Sequence, residues 1–170
     1  MFLFALALLA PADITAAVLD QITPVQPIVK GTGLPPGDNE EAQVMAPVDA
    51  WIAGVDAGNA AAIAAEVRVD GGGGVTVATN ANGTATVRHQ NWQQYLADVQ
   101  PAGRRHERFT EQPAVEIDGD IAMVWGDVAR SVGGRSAGCG VDHLDLIREN
   151  GRWRVQSLTQ SQRTTGCDVE

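Results

Sequence analysis

Between residues 139 and 155 the chain reads CGVDHLDLIRENGRWRV, which sets Cys139, Asp142, His143 and Asp145 among aliphatic residues. Carboxylates and imidazoles are the groups that move protons near neutral pH, and a thiol beside them is a nucleophile or a metal ligand. Side chains alternate along a strand. Cys139, Val141, His143, Asp145 and Ile147 therefore share one face, and Gly140, Asp142, Leu144, Leu146 and Arg148 share the other. Among leucines, Asp142 is expected to hold its proton more tightly and to serve as acid or base, unless it bonds a backbone group or an arginine. His143 and Asp145 point the same way, but two residues of strand separate them by about 6.6–7 Å, too far for contact unless the side chains turn. Asp142 and His143 are the candidate catalytic residues, each with a structural alternative.

The same residues make a poor metal site. Cys139 and Cys167 lack the close pairing of zinc ligands, and His89, His106 and His143 are not at ligand spacing. Neither metal nor cofactor is expected. A disulfide is the better use of the two cysteines in an oxidising compartment. With a turn at Asn150-Gly151, Cys139 stands opposite a residue near Gln162, and Thr164-Thr165-Gly166 lets the chain fold back so that Cys167 reaches it.

The elements that carry these residues are legible in outline. Val44, Val48, Trp51, Ile52 and Val55 form a helical stripe after acidic Glu40 and Glu41, with Pro47 either in the first turn or at a kink. AAAIAAE (60–66) reads as a short second helix, and Gly71 to Gly74 as a flexible turn; no Lys-Ser/Thr follows to make a phosphate loop. Hairpin turns are expected at Asn82-Gly83, Asp118-Gly119, Gly133-Gly134 and Asn150-Gly151. NWQQYLADV (91–99) is a helix with Trp92, Tyr95, Leu96 and Val99 on one side. Helices gathered early against one long antiparallel meander make an α+β domain, whose curved sheet leaves a cone where a small molecule could sit.

Composition narrows the partners. The 170 residues carry a net charge of −9 and a single lysine, Lys30, which argues against a nucleic-acid backbone. Phe2 to Leu9 is an apolar run too short to span a bilayer, which takes about 20 residues, and small residues near Ala12 and Ala17 suit leader cleavage, although no Lys or Arg precedes the run. The expected organisation is a leader over 1–17, a Pro/Gly-rich linker over 18–39 and a domain over 40–170. The expected location is periplasmic or secreted, with no membrane association after cleavage.

VDAWIAGVDAGNAAAI, IDGDIAMVW, CGVDHLDLIRENGRWRV and the closing TTGC resemble the nuclear transport factor 2-like (NTF2-like) superfamily, closest to its small bacterial SnoaL-like and lumazine-binding-type members, over about Glu40 to Cys167. The resemblance implies a cone-shaped α+β fold, N-terminal helices packed on a curved antiparallel sheet, which hosts isomerases, dehydratases, binding domains and pairing modules. Enzymes of the ketosteroid isomerase kind use a pocket tyrosine with two carboxylates, whereas Tyr95, the only tyrosine here, falls on the helix between strands. The expected pocket is apolar and lined by Trp51, Met123, Trp125, Asp142 and Leu144, with core packing the alternative for Trp51, Trp125 and Trp153. Arg108 either meets a ligand carboxylate or pairs with a sheet aspartate. Three functions follow: binding of a small, mainly apolar molecule; a lyase or isomerase using Asp142 or His143; or a homodimer formed through the exposed sheet face.

Overall fold

The computed structural model describes residues 39–101 and 103–167. The expected leader, and the expected linker up to its last residue, lie outside these described residues. Among the described residues no helix is long and apolar enough to cross a membrane.

Helix α1 (Glu40–Asp56) buries Val44, Val48, Trp51 and Val55, the stripe that the 3.6-residue period requires. Pro47 lies well inside this helix, not in its first turn, and is buried on the same side. Asn59 caps α2 (Ala60–Glu66), its side chain accepting from the Ala62 amide at 3.1 Å. Helix α3 (Trp92–Ala97) begins with a full capping box: Asn91 accepts from the Gln94 amide while the Gln94 side chain accepts from the Asn91 amide.

Among the described residues seven strands form one open sheet: β1 (Gly73–Thr79), β2 (Ala85–Asn91), β3 (Arg105–Phe109), β4 (Ala114–Asp118), β5 (Ile121–Val132), β6 (Arg135–Glu149) and β7 (Arg152–Arg163). Their order is β2-β1-β7-β6-β5-β3, and β4 also pairs with β5, beyond β3 along the same edge. The hairpin turns fall where Asn82-Gly83, Asp118-Gly119, Gly133-Gly134 and Asn150-Gly151 mark them, each second glycine having the positive φ that such turns demand. The expected all-antiparallel meander needs one correction. The β1–β2 hairpin comes first in the chain but docks beside the last strand, and β1 runs parallel to β7. The sheet is therefore mixed.

The glycine run is not a loose turn. A Cβ on Gly72 would lie 1.7 Å from the Gln156 carbonyl oxygen, and one on Gly73 would lie 2.2 Å from that of Gln90. Glycine is required here because backbones approach more closely than any side chain permits. Opposite Gly72, β7 carries an extra residue: Asp145 pairs with Ser157 and Leu146 with Val155, so that Gln156 bulges out. The bulge lets both Val155 and Leu158 turn inward although they are three apart, and the Gln156 carbonyl accepts the Trp92 indole N–H at 3.1 Å.

The core lies between α1, α2 and α3 and one face of the sheet. Trp51, Ile63 and Trp92 from the helices meet Val124, Leu144, Leu146, Trp153, Val155 and Leu158 from β5 to β7. Cys139 and Cys167 are joined in a disulfide with Cα atoms 5.6 Å apart, and Cys139 pairs in the sheet with Arg163. This bond ties the segment after β7 back onto β6.

Candidate functional site

The inner face of the sheet is apolar at one end and charged at the other. Asp142, Leu144 and Leu146 do share that face, as alternation requires. Asp142 stands at the boundary. Beside it on β5, Arg130 is buried and donates to four acceptors: Asp142 Oδ1, Glu107 Oε1 (3.2 Å from Nε), Gln160 Oε1 (3.1 Å) and the Ser161 carbonyl (2.9 Å from Nη1). Glu107, on β3, accepts a second guanidinium, with Arg105 Nη2 2.7 Å from Oε2. Its amide donates to Asp56 Oδ1 at the end of α1, at 3.2 Å.

Burial and charge push the two buried carboxyls of this group in opposite directions. Burial, then the charge of Glu107 and a hydrogen bond to it, push Asp142 well above the usual carboxylate range, against the pull of Arg130 and Arg105. Burial also opposes ionisation of Glu107, but the hydrogen bond from Asp142 and the charges of Arg130 and Arg105 prevail and bring it down to about 2. Among the described residues no N–H or O–H reaches the buried Asp142 Oδ2. Asp142 and Glu107 are joined by a side-chain hydrogen bond, which two carboxyl groups make only when one of them keeps its proton. Burial and the neighbouring Glu107, not the leucines alone, are what push the Asp142 carboxyl up.

In front of this group is a cavity of about 350 Å³, bounded by Val55, Tyr95, Val99, Arg88, Gln90 and Arg105 among others. A second lobe of about 230 Å³ extends over Thr76, Ala78, Gln160 and Gln162, and shares Arg88, Gln90, Tyr95 and Arg105 with the first. Arg105 is the link between the buried group and the cavity: its side chain is 31% exposed, while Glu107 behind it has none. Tyr95 is brought there by α3, packed edge-on against Trp92 at 5.5 Å. Burial raises its hydroxyl well above the usual tyrosine value, so it stays a neutral hydrogen-bond donor.

The residues expected to line a pocket are distributed differently. Trp51 and Leu144 are fully buried in the core, and Asp142 is sealed behind Arg130. Met123 and Trp125 alternate with buried Ala122 and Val124, so they belong to the outer face, where Trp125 is 47% exposed. Trp51 and Leu144 meet in the core, and Asp142 shares the inner face of β6 with Leu144. The expected apolar lining is corrected by this packing: the apolar part of the cone is filled by the protein's own side chains, and the space left open is edged by arginines and glutamines. Arg108 is exposed, whereas its neighbour Glu107 turns inward.

His143 opens on the outer face too. Its imidazole turns along the strand, so that Nε2 lies 3.4 Å from Asp145 Oδ1, closer than strand spacing alone gives. Ser157 Oγ donates to the other oxygen of Asp145 at 2.6 Å. The carboxylate stands in the middle of the three, whereas a hydroxyl-activating relay needs the imidazole there. No group of three or more His, Cys, Asp or Glu among the described residues is arranged to hold a metal ion.

No family model matches the chain, and no curated protein does. Solved structures match over most of the described domain. A nuclear transport factor 2-like superfamily protein from Salmonella enterica serovar Typhimurium has a TM-score of 0.56 at 14% identity, over 76% of this chain and 95% of that one. A nuclear transport factor 2-like protein of unknown function from Shewanella baltica gives 0.53 at 11% identity, over 75% and 96%. A candidate calcium/calmodulin-dependent kinase II association domain from Exiguobacterium sibiricum gives 0.55 at 16% identity, over 81% and 100%. The chain has the nuclear transport factor 2-like fold, and at these identities the likeness extends to the fold alone.

Proposed function

We propose that this domain binds a small molecule at the open mouth of its cone, against Tyr95 and Arg105. One observation carries the reading: Arg105 borders both lobes of the cavity while its Nη2 is held from behind by buried Glu107. A guanidinium fixed in this way loses little freedom on binding, and Nε and Nη1 have no hydrogen-bond partner among the described residues, which leaves them for a ligand. Tyr95 adds a flat surface and a neutral donor. The ligand is polar at one end, in keeping with Gln90 and Gln160, and apolar where it meets Val55 and Val99. The disulfide and the short apolar N-terminus support work outside the cytosol, in the periplasm or beyond the cell. Proton transfer through Asp142 or His143 has less support, since the first is sealed and the second opens on the other face.

Native mass spectrometry of the chain produced with its disulfide intact tests the reading. A bound small molecule in the parent chain, absent from Arg105→Met, is the expected result. A parent chain that is empty, or a molecule retained unchanged in the variant, contradicts it.

A second reading, pairing of two copies through the outer sheet face, draws on exposed Ile121 and Trp125 and on the similarity to a candidate association domain. Sedimentation over a hundredfold range of concentration tests it; a monomer throughout removes it.

A further inference from the structure

Arg88 and Gln90 are two positions apart on β2 and share a face of that strand. Both converge on one atom. Arg88 Nη2 and Gln90 Nε2 each donate to Asp98 Oδ2, the latter at 2.9 Å. Asp98 closes α3, where exposed helix carbonyls disfavour a carboxylate, and the last turn of α3 has no basic residue. Burial does not hold it there either, because the Arg88 and Asp98 side chains are 62% and 51% exposed and such an ion pair is weak. What holds Asp98 is the guanidinium and amide themselves, a donor set suited to any carboxylate. All three residues border the first lobe of the cavity that Tyr95 and Arg105 also border.

We propose that Arg88 and Gln90 form the docking point for the carboxylate of a small organic acid, and that Asp98 is an internal stand-in which the ligand displaces. The proposal rests on the reading that the cavity takes a small molecule, and it names the class. The groups at the back of the cavity agree with it: the guanidinium groups of Arg105 and Arg130 stand against Glu107 and Asp142, and burial together with Glu107 pushes the Asp142 carboxyl well above its usual range. The acid's apolar body then lies against Val99 and Tyr95, with Arg105 on the far side for a second polar group.

Calorimetry with benzoate and its neutral counterpart benzamide tests this on the whole disulfide-bonded chain. Removing the competing carboxylate in Asp98→Asn should tighten benzoate about fivefold, the scale of one exposed ion pair, and leave benzamide unchanged. Asp98→Ser serves as a second variant of the same design, and circular dichroism matched to the parent certifies each fold. Arg88→Gln should weaken benzoate at least fivefold. Equal benzoate affinity in the parent and both Asp98 variants overturns the displacement. So does an absence of benzoate binding in all of them. In either case the cavity reading stands or falls separately, on the co-purified molecule and its loss in Arg105→Met.

Discussion

Glu107 on β3 stands directly opposite Arg130 on β5 in the sheet register, and the two bury their charges together with 3.0 Å between Nη2 and Oε1. Neither side chain has appreciable contact with water. The pair is the hinge of the site: one side of Glu107 fixes Arg130 and, through it, Asp142, while the other fixes Arg105 at the cavity.

Glu107→Gln therefore leaves the guanidinium groups of Arg105 and Arg130 with Asp142 as their one buried carboxyl. The expected loss of stability is about 3–5 kcal/mol, the range for removing one partner of a buried pair. Urea denaturation checks it. Replacing Arg130 by Met in the Glu107→Gln background should cost less than in the parent, because its pairing with Glu107 is already lost.

The proton on Asp142 gives a pH dependence with a definite sign. The folded chain binds that proton more tightly than the unfolded chain, so the Asp142 contribution to stability is full below about pH 4 and declines as pH rises toward the raised value. Glu107 acts oppositely: its contribution is present above about pH 4.5 and is lost as pH falls toward about 2. Asp142→Asn keeps a donor to Glu107 and removes the titration. Its stability relative to the parent should grow with pH from about 4 upward, by at most about 1.4 kcal/mol per unit. Denaturation at pH 5 and pH 8 decides; a constant difference between the two chains contradicts the assignment of the proton.

The Cys139–Cys167 bridge joins residues separated by 28 positions in the sequence. Chain entropy alone predicts that opening it costs about 3–4 kcal/mol. The double variant Cys139→Ser, Cys167→Ser should lose that much in denaturant, and the parent should shift by a similar amount when reductant is added. A negligible shift in both would mean that the segment after β7 is held by other contacts.

Gly72→Ala tests the close approach of β1 to the bulge in β7. The added methyl falls between the Gln156 carbonyl and the Trp92 indole nitrogen, 1.7 and 2.6 Å from them. The indole hydrogen bond must break or the strands must part, and a loss of about 3 kcal/mol or more is expected. An Ala variant as stable as the parent would contradict the packing of α3 on the sheet.

Local signals account for most of the fold that was legible in the sequence. The α1 stripe, the α3 helix after Asn91 and the Asn-Gly and Asp-Gly hairpins each depend on neighbours a few residues away. The alternation along β6 was legible for the same reason, and it correctly separated Asp142 from His143. The parallel pairing of β1 with β7 was not, because it joins strands about 80 residues apart and leaves no periodic trace in either. The site was hidden similarly. Glu107 sits in RHERF, whose charged residues carry no apolar alternation, and Arg130 and the Asp142 and Gln160 that it bonds come from three other strands. A charged residue is expected at the surface unless paired, and pairing across strands is not written in the spacing of either partner. Arg130 within an otherwise apolar alternation, Val124, Val128, Arg130, was the one available signal.

Tyr95 is the only tyrosine in the chain, so one labelled ring reports on the cavity without overlap. The most direct test of the account is the carbon-13 signal of that ring, followed by NMR while a panel of small organic acids and their amides is titrated in. The account predicts that at least one acid shifts the signal to saturation in the parent chain, and that the same acid leaves it in place in Arg105→Met. A Tyr95 signal that no member of the panel moves, in a chain whose disulfide is intact, would contradict a binding site at the mouth of the cone.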